Sequence, residues 1–234
     1  MHIFLYNGRS SQDFGLILSG EDTWKKSMPD VERMQIPGRN GDLILSNHRY
    51  SNVELTYHVG IKRNFDRNFT SFMNFLLKEP GYHRLEDSYH PDYYRMAVLD
   101  KEISPKLAYQ NYSGSFDLTF SCMPQQYLKS GEKKQVLNGS GIIYNPTAYG
   151  SKPLIRIYGS GVLRVGSETV TVSNNDNYID LDCEMEDAYR DAMNMNRYVE
   201  LGGGDFPVLS PGNNTITLGS GITRAEIIPR WWCL

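Results

Sequence analysis

Apolar and polar positions alternate with the period of a β-strand through much of this chain. In "VELTYHVGI", Val53, Leu55, Tyr57, Val59 and Ile61 share one face, and Glu54, Thr56 and His58 share the other. "SFDLTFSCM" sets Phe116, Leu118, Phe120 and Cys122 against Asp117, Thr119 and Ser121. "YIDLDCEM" sets Ile179, Leu181, Cys183 and Met185 against Tyr178, Asp180, Asp182 and Glu184. A period of two with one wet face predicts half-buried antiparallel strands. One segment departs from it. "NFDRNFTSFMNFLLKEPG" places Phe65, Phe69, Phe72 and Leu76 at helical spacing, with Asn64 as N-cap, Asp66 in the first turn and Pro80-Gly81 as the stop. That predicts one amphipathic helix of about three turns, its Phe stripe laid on a sheet. "GYHRLEDSYHPDYYRMAVL" then predicts strand, turn, strand, with His90-Pro91-Asp92 near the tip.

The character changes at "KSGEKKQVLNGSG", residues 129 to 141, which is polar, basic and glycine-containing as linkers are. After it come short strand candidates with dense turns: "PLIRIYG", "GVLRVGS", "ETVTVSN", "YIDLDCE", "TITLGS" and "RAEIIPRWW". Many short strands and no convincing helix predict a β-sandwich of about 100 residues. The expected division is a first domain over 1–130, mostly β with one helix, a linker over 131–141, and an all-β domain over 142–234. A chain of 234 residues suits two ordinary domains. Its 16 tyrosines and 21 glycines favour strands and turns over helices.

Net charge is −3, so no basic excess argues for a grip on nucleic acid. Cys122, Cys183 and Cys233 are odd in number and far apart, which favours reduced thiols over a disulfide framework. The first residues, "MHIFLYNGRSSQDFG", do not read as a signal peptide, and no apolar run nears the length of a membrane helix, so the expectation is a soluble protein with no membrane contact.

Candidate chemistry is thin. Asp180, Asp182, Glu184, Glu186 and Asp187 form an acidic run, but carboxylates along a straight strand diverge where a calcium site needs convergence; a solvated strand face is the expectation. His83 and His90 lie near Glu86, Asp87 and Asp92, yet no two histidines stand at i, i+4 on a helix, and a polar hairpin is the simpler account. There is no G-x-S-x-G elbow, and "GSG" at 139–141, 159–161 and 219–221 reads as turn chemistry. Cys122 and Cys183 alternate onto apolar faces as small core residues. Trp231 and Trp232, adjacent in the last strand, should point to opposite faces, one buried and one free to cover an interface. A carboxylate pair that meets only in space stays open. No catalytic residue, metal or cofactor is assigned.

"MQIPGRNGDLILSN", residues 34–47, packs Pro37, Gly38, Arg39, Asn40, Gly41 and Asp42 together. A phosphate-gripping loop would lead straight into a helix; here a strand-like "DLILSN" follows. Asn40-Gly41 instead signals a tight hairpin turn, with Met34-Gln35-Ile36 and Leu43-Ile44-Leu45 as arms.

In "IPGRNGDLILSNHRYSNVEL" this region resembles the N-terminal signature of phage distal tail proteins, the Dit family. "YNPTAYGSKPLIRIYGSG" and "GDFPVLSPGNNTITLGSGITRAEIIPRWW" are similar to that family's second domain, so the resemblance spans nearly the whole chain in the expected order. It implies an N-terminal β-sandwich with one helix, related to tail-tube proteins, that forms a six-fold ring, and a C-terminal galectin-like β-sandwich. It implies a structural protein, not an enzyme, at the distal end of a long non-contractile tail, and in the host cytoplasm during assembly. The implied partners are five further copies, the tail tube protein, the tail-associated tip protein, and receptor-binding proteins or their adaptors, with DNA passing through the central channel. Residues 37 to 42 become the candidate oligomer interface. The chain has no large insertion in its second domain that would read as a docking arm. The rival expectation is a carbohydrate-binding β-sandwich that recognises host wall saccharide; a wall hydrolase is the weaker third.

Overall fold

The computed structural model describes residues 2–173 and 177–234. Asn174, the last residue of the predicted strand "ETVTVSN", lies outside the described residues. The chain is mostly β, with 52% strand and one α-helix among the described residues, and it divides into two compact units, one of residues up to Gln126 with Leu234, the other Tyr127–Cys233.

In the first unit the strands are β1 (Phe4–Tyr6), β2 (Arg9–Ser10), β3 (Leu16–Asp22), β4 (Pro29–Met34), β5 (Leu43–Tyr50) and β6 (Val53–Ile61). Helix α1 (Phe65–Leu77) follows, then β7 (His83–Asp87), β8 (Tyr93–Leu99), β9 (Lys106–Ala108) and β10 (Ser113–Cys122). The main sheet runs β2-β1-β7-β8-β10-β6-β3, with β9 paired to β10. β6 and β10 pair along their whole length, Val53 opposite Cys122 and Ile61 opposite Gly114. The alternation in sequence is therefore the alternation in space: Val53, Leu55, Tyr57, Val59, Ile61, Phe116, Leu118, Phe120 and Cys122 are all buried in one core. Helix α1 closes that core with Phe65, Phe72 and Leu76. Phe72 lies among Phe4, Phe14 and Phe116, ring centroids 5.4 to 6.3 Å apart, in the tilted arrangements aromatic pairs prefer. Asn64 does stand at the N-cap, but in a left-handed conformation (φ 53°) and without a side-chain cap bond.

In the second unit β11 (Gln126–Leu128), β12 (Gln135–Leu137), β13 (Gly141–Asn145), β14 (Leu154–Gly159), β15 (Gly161–Val165), β16 (Glu168–Val172), β17 (Tyr178–Asp182) and β18 (Asp187–Arg190) precede β19 (Met193–Asn194), β20 (Val199–Leu201), β21 (Gly212–Leu218), β22 (Ile222–Ile228) and β23 (Trp232–Cys233). Two antiparallel sheets form, β12-β22-β14-β17-β18-β19 and β13-β21-β15-β16-β20. Ile155, Ile157, Ile179, Leu181 and Ile227 from the first meet Ile143, Leu163, Val165, Val170, Val172 and Ile216 from the second in one core. The stretch 131–141, linker-like in composition, contains β12, which pairs with β22 from Gln135↔Ile227 to Leu137↔Ala225. Its two lysines, Lys133 and Lys134, directly precede a three-residue edge strand, where charge is a common device.

Candidate assembly interface

The hairpin of β4 and β5 forms a two-stranded sheet of its own. Met34 pairs with Leu43, Arg33 with Ile44, Glu32 with Leu45 and Val31 with Ser46. Residues 32 to 50 are all exposed except half-buried Leu43. Facing pairs share a side of the ribbon. Met34, Leu43 and Leu45 therefore lie on one face, and Val31 and Ile44 on the other. Met34 keeps 52% and Ile44 61% of its surface. The base is fixed by Ser51 N–H donating to Met28 O at 3.1 Å and by the Ser27 hydroxyl donating to Ser51 O. Across the two arms, Arg49 Nε donates to Asp30 Oδ2 at 2.5 Å and Asn47 Nδ2 to Oδ1 at 3.3 Å. The Arg49 bond, then that from Asn47, holds the Asp30 carboxyl below its usual range.

The turn is not where the Asn40-Gly41 pair predicts it. Arg39 N–H donates to Ile36 O at 3.1 Å, with Pro37 and Gly38 between and Gly38 at φ +80°. That is the arrangement of a type II turn, which takes Pro first and Gly second. A type I′ turn at Asn40-Gly41 needs positive φ at both, and only Gly41 (φ +82°) has it. The loop between the arms is thus eight residues long, from Gln35 to Asp42. Pro37, Gly38, Arg39, Asn40, Gly41 and Asp42 are all exposed at its tip.

The other candidates resolve into structure. Asp180 and Asp182 are buried, not solvated. Arg156 Nε and Nη2 each donate to one Asp180 oxygen at 2.7 Å. Arg230 donates to both Asp182 oxygens at 2.6 and 2.8 Å. The arginines come from β14 and from the segment after β22, which the acidic run itself does not reveal. His90 Nε2 lies 3.0 Å from Thr23 Oγ1, and its ring packs edge-on to Trp24. Asp87 Oδ1 accepts from the backbone N–H groups of Tyr89 and His90 and so builds that turn. Cys122 and Cys183 are buried, and burial pushes both thiols up to about 12. Trp231 enters the second core. Trp232 is half-buried, stacks on Tyr149 at 4.5 Å and donates Nε1–H to Gly150 O at 2.9 Å. A groove of about 310 Å³ in the first unit passes the exposed His58–Asp117 pair, Nδ1 to Oδ1 2.6 Å. Another of about 370 Å³ in the second is lined by Lys152, Glu168, Glu186, Asp205 and Phe206. Among the described residues no three His, Cys, Asp or Glu side chains stand together as metal ligands, and no helix is long and apolar enough to cross a membrane.

The chain has the fold of a phage baseplate hub protein. Its fold is similar over 100% of both chains to the Dit protein of phage SPP1, a paradigm of the hub adsorption apparatus in Gram-positive infecting phages, with a TM-score of 0.77 at 14% identity. It is also similar over 97% of both chains to a chain of the phage P2 baseplate in its activated conformation with Ca, TM-score 0.53 at 10% identity. No protein-family model matches the sequence, and no curated protein matches it. The shared property is thus the backbone, and it is Dit-like from end to end.

Proposed function

We propose that this chain is a structural distal tail protein of a phage with a long non-contractile tail. Six copies close into a ring that joins the tail tube to the tail-tip protein and to the receptor-binding proteins, leaving a central channel for DNA. The N-terminal domain expected over 1–130 makes the ring; the C-terminal domain expected over 142–234 is a galectin-like sandwich. The chain has no catalysis of its own. The observation that carries this reading is the β4–β5 hairpin. A lone two-stranded ribbon is marginal in water, and this one exposes apolar side chains on both faces. A neighbouring copy that covers it supplies the missing burial, and repetition of such a heterologous contact by a fixed rotation closes a ring. The full-length likeness to the SPP1 Dit fold supports the same reading.

Negative-stain imaging with native mass spectrometry tests it. Closed six-fold rings are the expected result. Ile44→Asp combined with Met34→Asp should return monomers whose melting temperature matches that of the separated wild-type monomer, because both side chains are exposed in the single copy. A wild-type protein that stays monomeric at every concentration and binds wall polysaccharide would overturn the ring in favour of a lectin.

A further inference from the structure

We infer that β13 is a second, self-complementary contact, through which two copies join their five-stranded sheets edge to edge. β13 stands at the end of its sheet and, among the described residues, pairs with β21 alone, in unbroken register from Gly141↔Ile216 to Asn145↔Gly212. No strand of the described residues pairs with its other edge. Soluble proteins guard such edges with charge, proline, bulges or a covering loop. This strand has no charge, no proline and no bulge. Its outward side chains are instead large and apolar, with Ile142 at 64% and Tyr144 at 62% exposure. Three other edges of the chain differ. β3 ends in Glu21 and Asp22 and carries a register shift, β12 follows Lys133 and Lys134, and β20 carries Glu200 at its centre.

The occupant is a second copy because the strand matches itself. In an antiparallel pairing centred on Ile143, Ile142 of each copy faces Tyr144 of the other, and Gly141 faces Asn145. Both exposed pairs are then aromatic against β-branched, among the favourable cross-strand pairings, and no like charges meet. Such a contact has two-fold symmetry. The hairpin contact is heterologous, so the two are independent. A five-residue pairing is small against an ordinary interface, so it is detected by covalent trapping rather than as a stable dimer.

Site-directed cross-linking of the full chain tests both the contact and its register. In a Cys233→Ser background that also carries Ile44→Asp and Met34→Asp, Ile142→Cys and Tyr144→Cys are made separately. Mild oxidation of the equimolar mixture should give a disulfide-linked dimer at about ten times the yield of either variant alone, since only facing positions lie within disulfide reach. Single variants that cross-link as well as the mixture would overturn the register, and no cross-linking in any sample would overturn the contact. Unchanged melting temperatures would show that the variants are folded, so a missing product cannot be a folding failure. Because the hairpin is disabled throughout, failure here leaves the ring untouched, and failure of the ring leaves this contact intact.

Discussion

At Gly221 an added methyl group would stand 2.0 Å from the carbonyl oxygen of Ser160, and at Gly159 it would stand 2.1 Å from that of Gly221. Two of the recurrent "GSG" triplets, at 159–161 and 219–221, therefore meet backbone to backbone. Each alone looks like turn chemistry, and their mutual contact is invisible until the register is known. Gly221 also sits at φ +90°. Gly221→Ala should thus destabilise the second unit by about 3 kcal/mol, from overpacking plus a strained dihedral, measured by denaturant unfolding. A loss below about 0.5 kcal/mol, the usual size at an unconstrained surface position, would show that the backbone yields there. The buried carboxylates add a pH dependence. Burial works to raise Asp182, but the Arg230 hydrogen bonds and the N–H groups of Met185 and Glu184 outweigh it and hold the group below its usual range. Glu226 is likewise lowered, chiefly by Lys134 against the effect of burial, with Arg224 adding to it. A lowered native value means that the unfolded chain takes up protons first as pH falls. The stabilisation is present above about pH 4 and is lost as pH drops through the depressed values. The second unit's melting temperature should hold from about pH 7 to 5 and decline below about 4; a flat profile down to about pH 2 would mean that these ion pairs contribute nothing.

The elements divide by how local their causes are. β6, β10 and α1 follow from periodicity alone, because each buries one face and the apolar residues mark it. The Phe72 ring is fully buried among three other aromatics, so Phe72→Ala should cost the first unit about 4 kcal/mol in denaturant unfolding. A cost under about 1 kcal/mol would mean that the core collapses into the space. The β4–β5 hairpin was readable as a hairpin from its two apolar arms, but its turn was not. Pro37-Gly38 and Asn40-Gly41 are both turn signals three residues apart, and the local sequence does not say which closes a hydrogen bond. The short strands β1, β2, β9, β18, β19 and β20 escape periodicity because two to four residues hold too few alternations. The ion pairs of Asp180 and Asp182 escape for another reason. Each partner is distant in sequence, and only the β14–β17 register and the return of the chain after β22 bring them together.

At the scale of the whole molecule, the hairpin is an element whose burial is incomplete within one chain. Elsewhere apolar alternation ends in a core; in β4 and β5 it ends in solvent on both faces. A contact that depends on those faces is governed by apolar area, and two of the hairpin's charged groups, Asp30 and Arg49, already pair within it. Exposed ion pairs between copies would instead be screened as salt rises, since the Debye length falls from about 10 Å at 0.1 M to about 3 Å at 1 M. The assembly should therefore keep its mass in sedimentation across that range of salt, and Ile44→Asp should dissociate it at either end. Dissociation of the wild-type assembly by salt alone would move the contact from the apolar ribbon to charged surface elsewhere. The hairpin would then be a local ornament of the first unit, with no part in holding copies together.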